Sequence, residues 1–523
     1  MKHMNFSTRS VVLIFLLAAL LFTANSSFAA EEQKAGEEQP KQSAKDSGPD
    51  ENFVLPLKPS VTSHEITLDG SVLEYKATAG FMPIFDQTGK QKANMFYVAY
   101  EVPGEKDEKR PVTFAFNGGP GAAALWLHVG AFGPKTVSMD PSGTKLPEPP
   151  FALKDNANTL LGQSDLVFVD PVGTGFSRAM PEEKTAEEFW GVRSDIASVG
   201  EFIRMYLNRK NRWNDRVFIA GESYGGLRAP GLATYLQDMG VMTSGIILLS
   251  PAPSFGDIRP DHTNERPFVH LLPAMAAGAH YHDMTGVNLP SDRRELLEKA
   301  RKWARKDYLE GLWEGLDLQG EERQQLTKEM AAFTGLPKDF LQAENLRVPA
   351  SRFAGRLLQD QGKFLSLYDS RVAAYGTKYS FSEDPLVFMT GPPYVTLFRQ
   401  YLANNLGLKI DRRYIQLNKE AGKKWDFYSG AENGAFGYPN VVGEMAKAMR
   451  RDPHLDLFVA MGIYDLICPR ASVLYSLKHM DVPPERMGNI TFKTYLAGHM
   501  LYTRESVHEK LKTDLTRFYQ AGK

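Results

Sequence analysis

A chain of 523 residues, 43% hydrophobic and 24% charged, carries enough apolar material for a large core and has the makeup of an ordinary water-soluble protein. Its formal charge of -1, from 61 basic and 62 acidic side chains, leaves no basic excess for a phosphate backbone, so DNA and RNA are excluded as expected partners. Cys468 stands alone, so no internal disulfide can form and stability has to come from packing.

At the N-terminus Lys2 and Arg9 flank the start of an apolar stretch, Val11 to Phe22. Small residues around Ser27 to Ala29 follow, then Glu31 and Glu32. This is the layout of a secretory signal peptide, and the stretch is shorter than the roughly 20 apolar residues a membrane-spanning helix needs. Residues 1–30 are read as that signal, with cleavage near Ala29 or Ala30, and the product as an exported protein with no stable membrane insertion. Export without disulfides suits a bacterial envelope, periplasmic or secreted. No cysteine ends the apolar stretch to carry a lipid anchor. Residues 31–52 are rich in Glu, Lys, Gln, Ser, Gly and Pro, a composition that cannot repay the entropy of ordering, and are expected to be a disordered linker.

From Val61 to Val102, alternating segments such as Glu65 to Leu68 and Met95 to Ala99 are separated by Asp69-Gly70 and Thr88-Gly89, which are hairpin signals. Short apolar runs of the buried parallel-strand type follow: Val112 to Phe116, Leu166 to Val169, Val217 to Ala220, Ile246 to Leu249, Leu457 to Met461 and Ile490 to Tyr495. Helical periodicity over Ser194 to Leu207 falls between two of them. The expected fold class is α/β, a doubly wound, mostly parallel sheet with an antiparallel edge. The rhythm breaks between Ser254 and Met449, where amphipathic helices such as Asp292 to Trp313 and Glu321 to Phe333 are predicted, the first opened by an Asp292/Glu295 capping box. The expected organisation is a sheet domain over 53–253 and 450–523, interrupted by a large helical cap insertion over 254–449 that folds over the strand ends, where ligands bind in such sheets.

The segment GESYGG, Gly221 to Gly226, follows the Val217 to Ala220 run and fits GxSxG, a serine on a tight strand-to-helix turn. Ser223 is the candidate nucleophile, with glycines at 221 and 225 where side chains would collide. A serine hydroxyl needs a base and a carboxylate that orients the base. His499, in LAGHM just past the last strand, is the candidate base. Asp465 follows the Leu457 to Met461 strand and is the candidate carboxylate, because Asp456 precedes that strand and Asp481 lies in a Pro-rich loop. The oxyanion donors are assigned to the N–H groups of Gly119, in FNGGPG after the Val112 to Phe116 strand, and of Tyr224. No cofactor is needed for this chemistry. One HxH in AHYHD (His280, His282, Asp283) is too little for a metal site, so none is expected. His128, Cys468, Trp303, Trp313 and Tyr368 are read as packing residues.

These residues sit in FNGGPGAAALWLHVGAFGP, VDPVGTGFS, FIAGESYGGLRAPGLA, GIYDLICP and AGHM, and in that order the chain resembles the serine carboxypeptidase family of α/β-hydrolases. The resemblance implies hydrolysis of C-terminal residues from a peptide substrate through an acyl-enzyme. It also implies that Asn117 and Glu222 hold the free C-terminal carboxylate of the peptide. Two carboxylates at hydrogen-bond distance repel unless one is protonated, so Glu222 must be neutral when substrate binds, which implies a preference for acidic pH. The chain departs from the family at Ala115, where a tryptophan is usual, at Ala122 to Ala124, which replace a half-cystine segment, and at Ala131, which replaces a glutamate of the carboxylate network. The same catalytic residues also serve a serine esterase or acyltransferase, which stands as the alternative.

Overall fold

Each central strand sends alternate side chains into two different cores. The computed structural model of the protein describes residues 58–104, 109–181, 186–376, 378–433 and 436–521, so the expected signal peptide and linker lie outside the described residues. On β4 (Val112–Phe116), Phe114 and Phe116 enter one core and Ala115 the other. Strands β6 (Val217–Glu222), β7 (Thr243–Leu249) and β8 (Asp456–Gly462) repeat this division: Ile219, Ile246 and Val459 lie on the first side, Phe218, Ile247 and Phe458 on the second. A strand buried on both faces has no polar side to offer, and this produces the continuous apolar runs seen in the sequence.

Residues 53–523 form one compact unit. It opens with β1 (Ser60–Leu68), β2 (Ser71–Phe85) and β3 (Gln91–Glu101), paired antiparallel around a turn in which Asp69 and Gly70 both have positive φ. With β5 (Asp165–Val169) and β9 (Ile490–Tyr495), the order across the sheet is β1-β2-β3-β5-β4-β6-β7-β8-β9. The two-residue strand Arg178–Ala179 pairs with β3. From β5 to β9 every pairing is parallel, and β3 meets β5 antiparallel, as expected for a mostly parallel sheet with an antiparallel edge. Strand β6 runs two residues beyond the predicted Ala220, because Gly221 and Glu222 stay in register with Leu248 and Leu249 of β7. That extension makes Glu222 the last strand residue and buries it.

Helices α1 (Val192–Lys210) and α2 (Gly225–Asp238) cover one face, through Ile196, Val199, Phe202 and Leu232. Between β7 and β8 lie α3 (Arg266–Tyr281), α4 (Arg293–Trp303), α5 (Gly320–Thr334), α6 (Pro385–Asn404) and α7 (Val442–Arg451); α8 (Arg470–Lys478) precedes β9 and α9 (Glu505–Ala521) follows it. Helices α3 to α5 have a core of their own, with Leu272, Met275, Leu296, Met330 and Phe333. The segment between β7 and β8 is not uniform. Leu397 and Phe398 of α6 pack in the core shared with Leu515 and Phe518 of α9, while Met445 and Met449 of α7 pack in the core on the opposite face. The expected boundary at 449 therefore falls inside a helix that covers the sheet. Asp292 caps α4 by accepting from Glu295 N at 3.0 Å, but the predicted helix to Trp313 is interrupted by a π-helical turn, Ala304–Tyr308. Among the described residues no helix is long and apolar enough to cross a membrane.

One buried charge ties the layers together. Arg228 of α2 is 1% exposed and pairs with Asp195 of α1 at 2.7 Å. It also donates to the Asn117 carbonyl at 2.8 Å and lies over the Phe116 and Tyr224 rings. Burial pushes the Asp195 carboxyl above its usual range, and Arg228 opposes that shift. Replacing one member of such a pair leaves the other charge buried and alone. Arg228→Leu is therefore expected to lower stability by about 3–5 kcal/mol, measured as a shift in the urea denaturation midpoint.

Candidate active site

The parallel register lines up the carboxyl ends of neighbouring strands. Asn117 follows β4, Ser223 follows β6, Ser250 follows β7, Asp465 lies beyond β8 and His499 beyond β9. Ser223 has φ of 60°, a conformation that costs a non-glycine residue on the order of 1–3 kcal/mol. The turn is held by Ser223 N donating to Leu249 O at 3.0 Å, and by Gly226 N and Ala252 N donating to Ser223 O at 2.8 and 3.1 Å. At Gly221 a Cβ would meet Gly225 O at 2.1 Å, so strand and helix can approach only without a side chain there. The reading of Gly225 is weaker than expected: its Cβ would meet Phe116 O at 3.0 Å. Gly118, which was not singled out in the sequence, has the tighter constraint, because a Cβ there would sit 2.3 Å from Tyr224 N. The FNGGPG loop thus presses its backbone against the turn that carries Ser223. Among the described residues the N–H groups of Gly119 and Tyr224 donate no hydrogen bond, which leaves both available as oxyanion donors.

His499 Nδ1 faces Asp465 Oδ2 at 2.7 Å, and both residues are buried. Asp465 Oδ1 accepts from Ile467 N at 2.8 Å and Cys468 N at 2.9 Å, so the carboxylate is fixed at both oxygens. His499 Nε2 is buried and has no hydrogen-bond partner among the described residues, Ser223 Oγ included. Burial pulls the His499 pKa down, but Asp465, then Glu222, outweigh it and leave it raised. An unpaired Nε2 on a histidine oriented by a carboxylate is the arrangement a general base requires.

Glu222, the residue before the nucleophile, lies against Asn117. Asn117 Nδ2 donates to Glu222 Oε2, and Leu127 N donates to Asn117 Oδ1 at 3.0 Å, which fixes the amide's orientation. Tyr502 OH donates to the same Glu222 oxygen at 3.0 Å. Glu222 Oε1 has no hydrogen-bond partner among the described residues. Burial pushes the Glu222 carboxyl up to about 7, against the opposing pull of His499, Tyr502 and Asn117. Tyr502 was missed in the sequence; its only cue is its place three residues after His499.

A further segment, between α5 and α6, grips the histidine loop. His499 N donates to Tyr368 O at 2.6 Å and Gly498 N to Asp369 Oδ2 at 3.1 Å. Asp369 is itself paired with buried Arg371 at 2.5 Å, and Leu466 N donates to Leu367 O at 3.0 Å. Residues 366–370 thus hold the loops of both Asp465 and His499. Tyr368, read as a helix-packing residue, instead lies outside any helix with its ring 5.2 Å from that of His499, edge to face.

The other residues weighed in the sequence lie elsewhere or are spoken for. His128 is buried against Phe168, with ring centroids 4.2 Å apart, and bonds Tyr100 OH at 2.7 Å. His280 and His282 each bond a different backbone carbonyl, Ser291 O at 3.0 Å and Ser370 O at 2.8 Å. Asp465, Cys468 and His499 bring donor atoms within 4.8 Å of one another. The facing Asp465 and His499 atoms already satisfy each other, and burial raises the Cys468 thiol pKa, so the donor set does not fit a metal ion. Trp303 stacks on Tyr308, Trp313 is exposed, and Ala131, the departure from the family glutamate, offers its carbonyl to His508 Nε2 at 2.8 Å and Asn156 Nδ2 at 2.9 Å.

Residues 68–242 match the family model described as serine carboxypeptidase. Serine carboxypeptidase-like 31 of Arabidopsis thaliana is 28% identical over 170 residues, 32% of this chain and 31% of the relative. The lysosomal protective protein of Mus musculus is 26% identical over 190 residues, 36% of this chain and 35% of that protein. The chain thus spans about a third of the length of the curated relatives it matches. In fold it is similar to Kex1, a prohormone-processing carboxypeptidase from Saccharomyces cerevisiae, with a TM-score of 0.52 and 15% identity over 85% of this chain and 91% of that one. The stretch that holds Asn117, Glu222 and Ser223 matches the serine carboxypeptidase family, on a chain whose fold is that of the α/β-hydrolases.

Proposed function

We propose that this protein is a serine-type carboxypeptidase that removes C-terminal residues from peptides. The observation that carries the reading is the buried Asn117–Glu222 pair beside Ser223, with Glu222 held near neutrality and one oxygen unpartnered. A neutral carboxyl donates to the substrate's terminal carboxylate, whereas an ionised one repels it. The terminus is thereby placed so that the last peptide bond lies over Ser223.

Ser223 Oγ attacks the carbonyl carbon while its proton passes to His499 Nε2. Asp465 holds the imidazole and stabilises the imidazolium. The oxyanion is received by the N–H groups of Gly119 and Tyr224. The C–N bond then breaks, the released amino acid takes the proton from His499, and water attacks the acyl-enzyme with His499 again as base. Residues 366–370 and Tyr502 position His499 and Glu222 and take no proton themselves. The signal-like layout of residues 1–30 supports export as the setting of this activity, in the periplasm or the medium of a bacterium.

Ser223→Ala is expected to lower peptide hydrolysis by roughly a thousandfold or more, assayed by release of the C-terminal amino acid, and to abolish labelling by a fluorophosphonate. Peptides with a free C-terminus are expected to be cleaved with kcat/KM at least about tenfold above their amidated counterparts, the worth of one charge-assisted contact. Equal cleavage of the two would sink the carboxylate clamp and favour the esterase alternative.

The pH dependence follows from Glu222. Its protonated, donating form prevails below about pH 7 and is lost as pH rises through that value. For free-terminus peptides kcat/KM should therefore fall above about pH 7. Glu222→Gln, which donates at every pH, should remove that fall while keeping the acid limb, where His499 takes up a proton.

A further inference from the structure

Apart from the residues of the proposed reaction, three helical segments enclose a cavity of about 550 Å³. One face of α3 supplies Val269 and Pro273, and one face of α8 supplies Leu474 and Tyr475. The third wall comes from Arg301 at the end of α4, from Arg305 and Lys306 of the π-helical turn after it, and from Leu309 just beyond that turn. The floor is therefore aliphatic and aromatic. A volume of this size suits a small organic ligand, for which pockets run to roughly 300–1,000 Å³.

The charge around this floor has a single sign. Five of its lining residues are Arg or Lys and none is acidic, in a chain of net charge -1. Arg266 is paired with Asp257 at 3.0 Å and Arg301 with Glu298 at 2.5 Å. Arg305, Lys306 and Lys478 are exposed and make no ion pair among the described residues. Glu298, already held by Arg301, is the carboxylate that also feels Arg305. The neighbouring Arg470 has its pKa lowered by burial first and then by the charge of Arg301, with Glu298 opposing.

We propose that this cavity is a binding site for an amphiphilic carboxylate, an acidic head on an alkyl body, separate from the catalytic cleft. Solvated lysines on a polar surface need no ligand, but here three cations that make no ion pair among the described residues rim an apolar floor. The head group pairs with Arg305, Lys306 and Lys478 while the alkyl body covers Leu309, Leu474 and Tyr475. Inorganic phosphate satisfies only the rim, and an uncharged hydrocarbon only the floor. The site does not depend on the hydrolase reading.

The test is displacement of a fluorescent reporter, anilinonaphthalene sulfonate, by dodecanoate from the full-length protein, with Ser223 blocked by a fluorophosphonate so that the cleft is occupied. Saturable displacement is expected, weakened by about tenfold or more in the Arg305→Glu, Lys478→Glu double variant, the loss expected when two charge-assisted contacts are reversed. The same variant should keep its melting midpoint and its peptide hydrolysis. An Arg305→Gln, Lys478→Gln pair should weaken binding in the same direction. Dodecanoate affinity unchanged in both variants, displacement lost once Ser223 is blocked, or inorganic phosphate competing as well as dodecanoate would each overturn the proposal.

Discussion

The parallel register of β4, β6, β7, β8 and β9 is the constraint on which the candidate site depends. Parallel pairing makes neighbouring strands end on the same side, so residues from distant parts of the chain arrive beside one another without any direct attraction between them. The register is itself held by alternation, with each strand filling two cores at once. A slip of one residue would exchange every side chain between them. Strained geometry at Ser223 is tolerated because the surrounding backbone hydrogen bonds and the close approach of Gly118 leave that residue no other path.

The same burial that packs the sheet separates two carboxyl groups chemically. Asp465 has both oxygens engaged, one by two backbone N–H groups and one by His499. Glu222 has donors on one oxygen only, and desolvation dominates it. Environments that treat two acids differently in one site can suit one to orient a base and the other to stay protonated and offer a hydrogen bond. Because Glu222 and His499 each act on the other's charge, their protons belong to a coupled system rather than to either residue alone.

Much of this was legible in the chain, for local reasons. Apolar runs located the strands because full burial removes alternation, and GESYGG located the turn because only small residues fit where β6 meets α2. The division of the helical segment was harder to read. Helices α6 and α7 carry apolar faces like those of α3 to α5, and nothing in periodicity says which core a face will join. Helix α4 shows the same limit: its cap at Asp292 is a contact over three residues, whereas its interruption at Ala304 depends on packing against neighbours. Tyr368 resembled any other packing aromatic until its loop was seen to hold His499 N.

By itself the sequence determined the sheet architecture, the candidate nucleophile and the residue types able to activate it, since these rest on period, turn chemistry and chain order. Only the tertiary structure decided the supporting partners: Tyr502 on Glu222, Asp369 on the histidine loop, Arg228 between Asp195 and the Asn117 carbonyl. It alone also gathered Arg305, Lys306 and Lys478 around one apolar floor. The physical reason is separation. Tyr502 and Glu222 are 280 residues apart, and a hydrogen bond across that distance leaves no local pattern, because both ends look like ordinary polar residues until the fold removes their water.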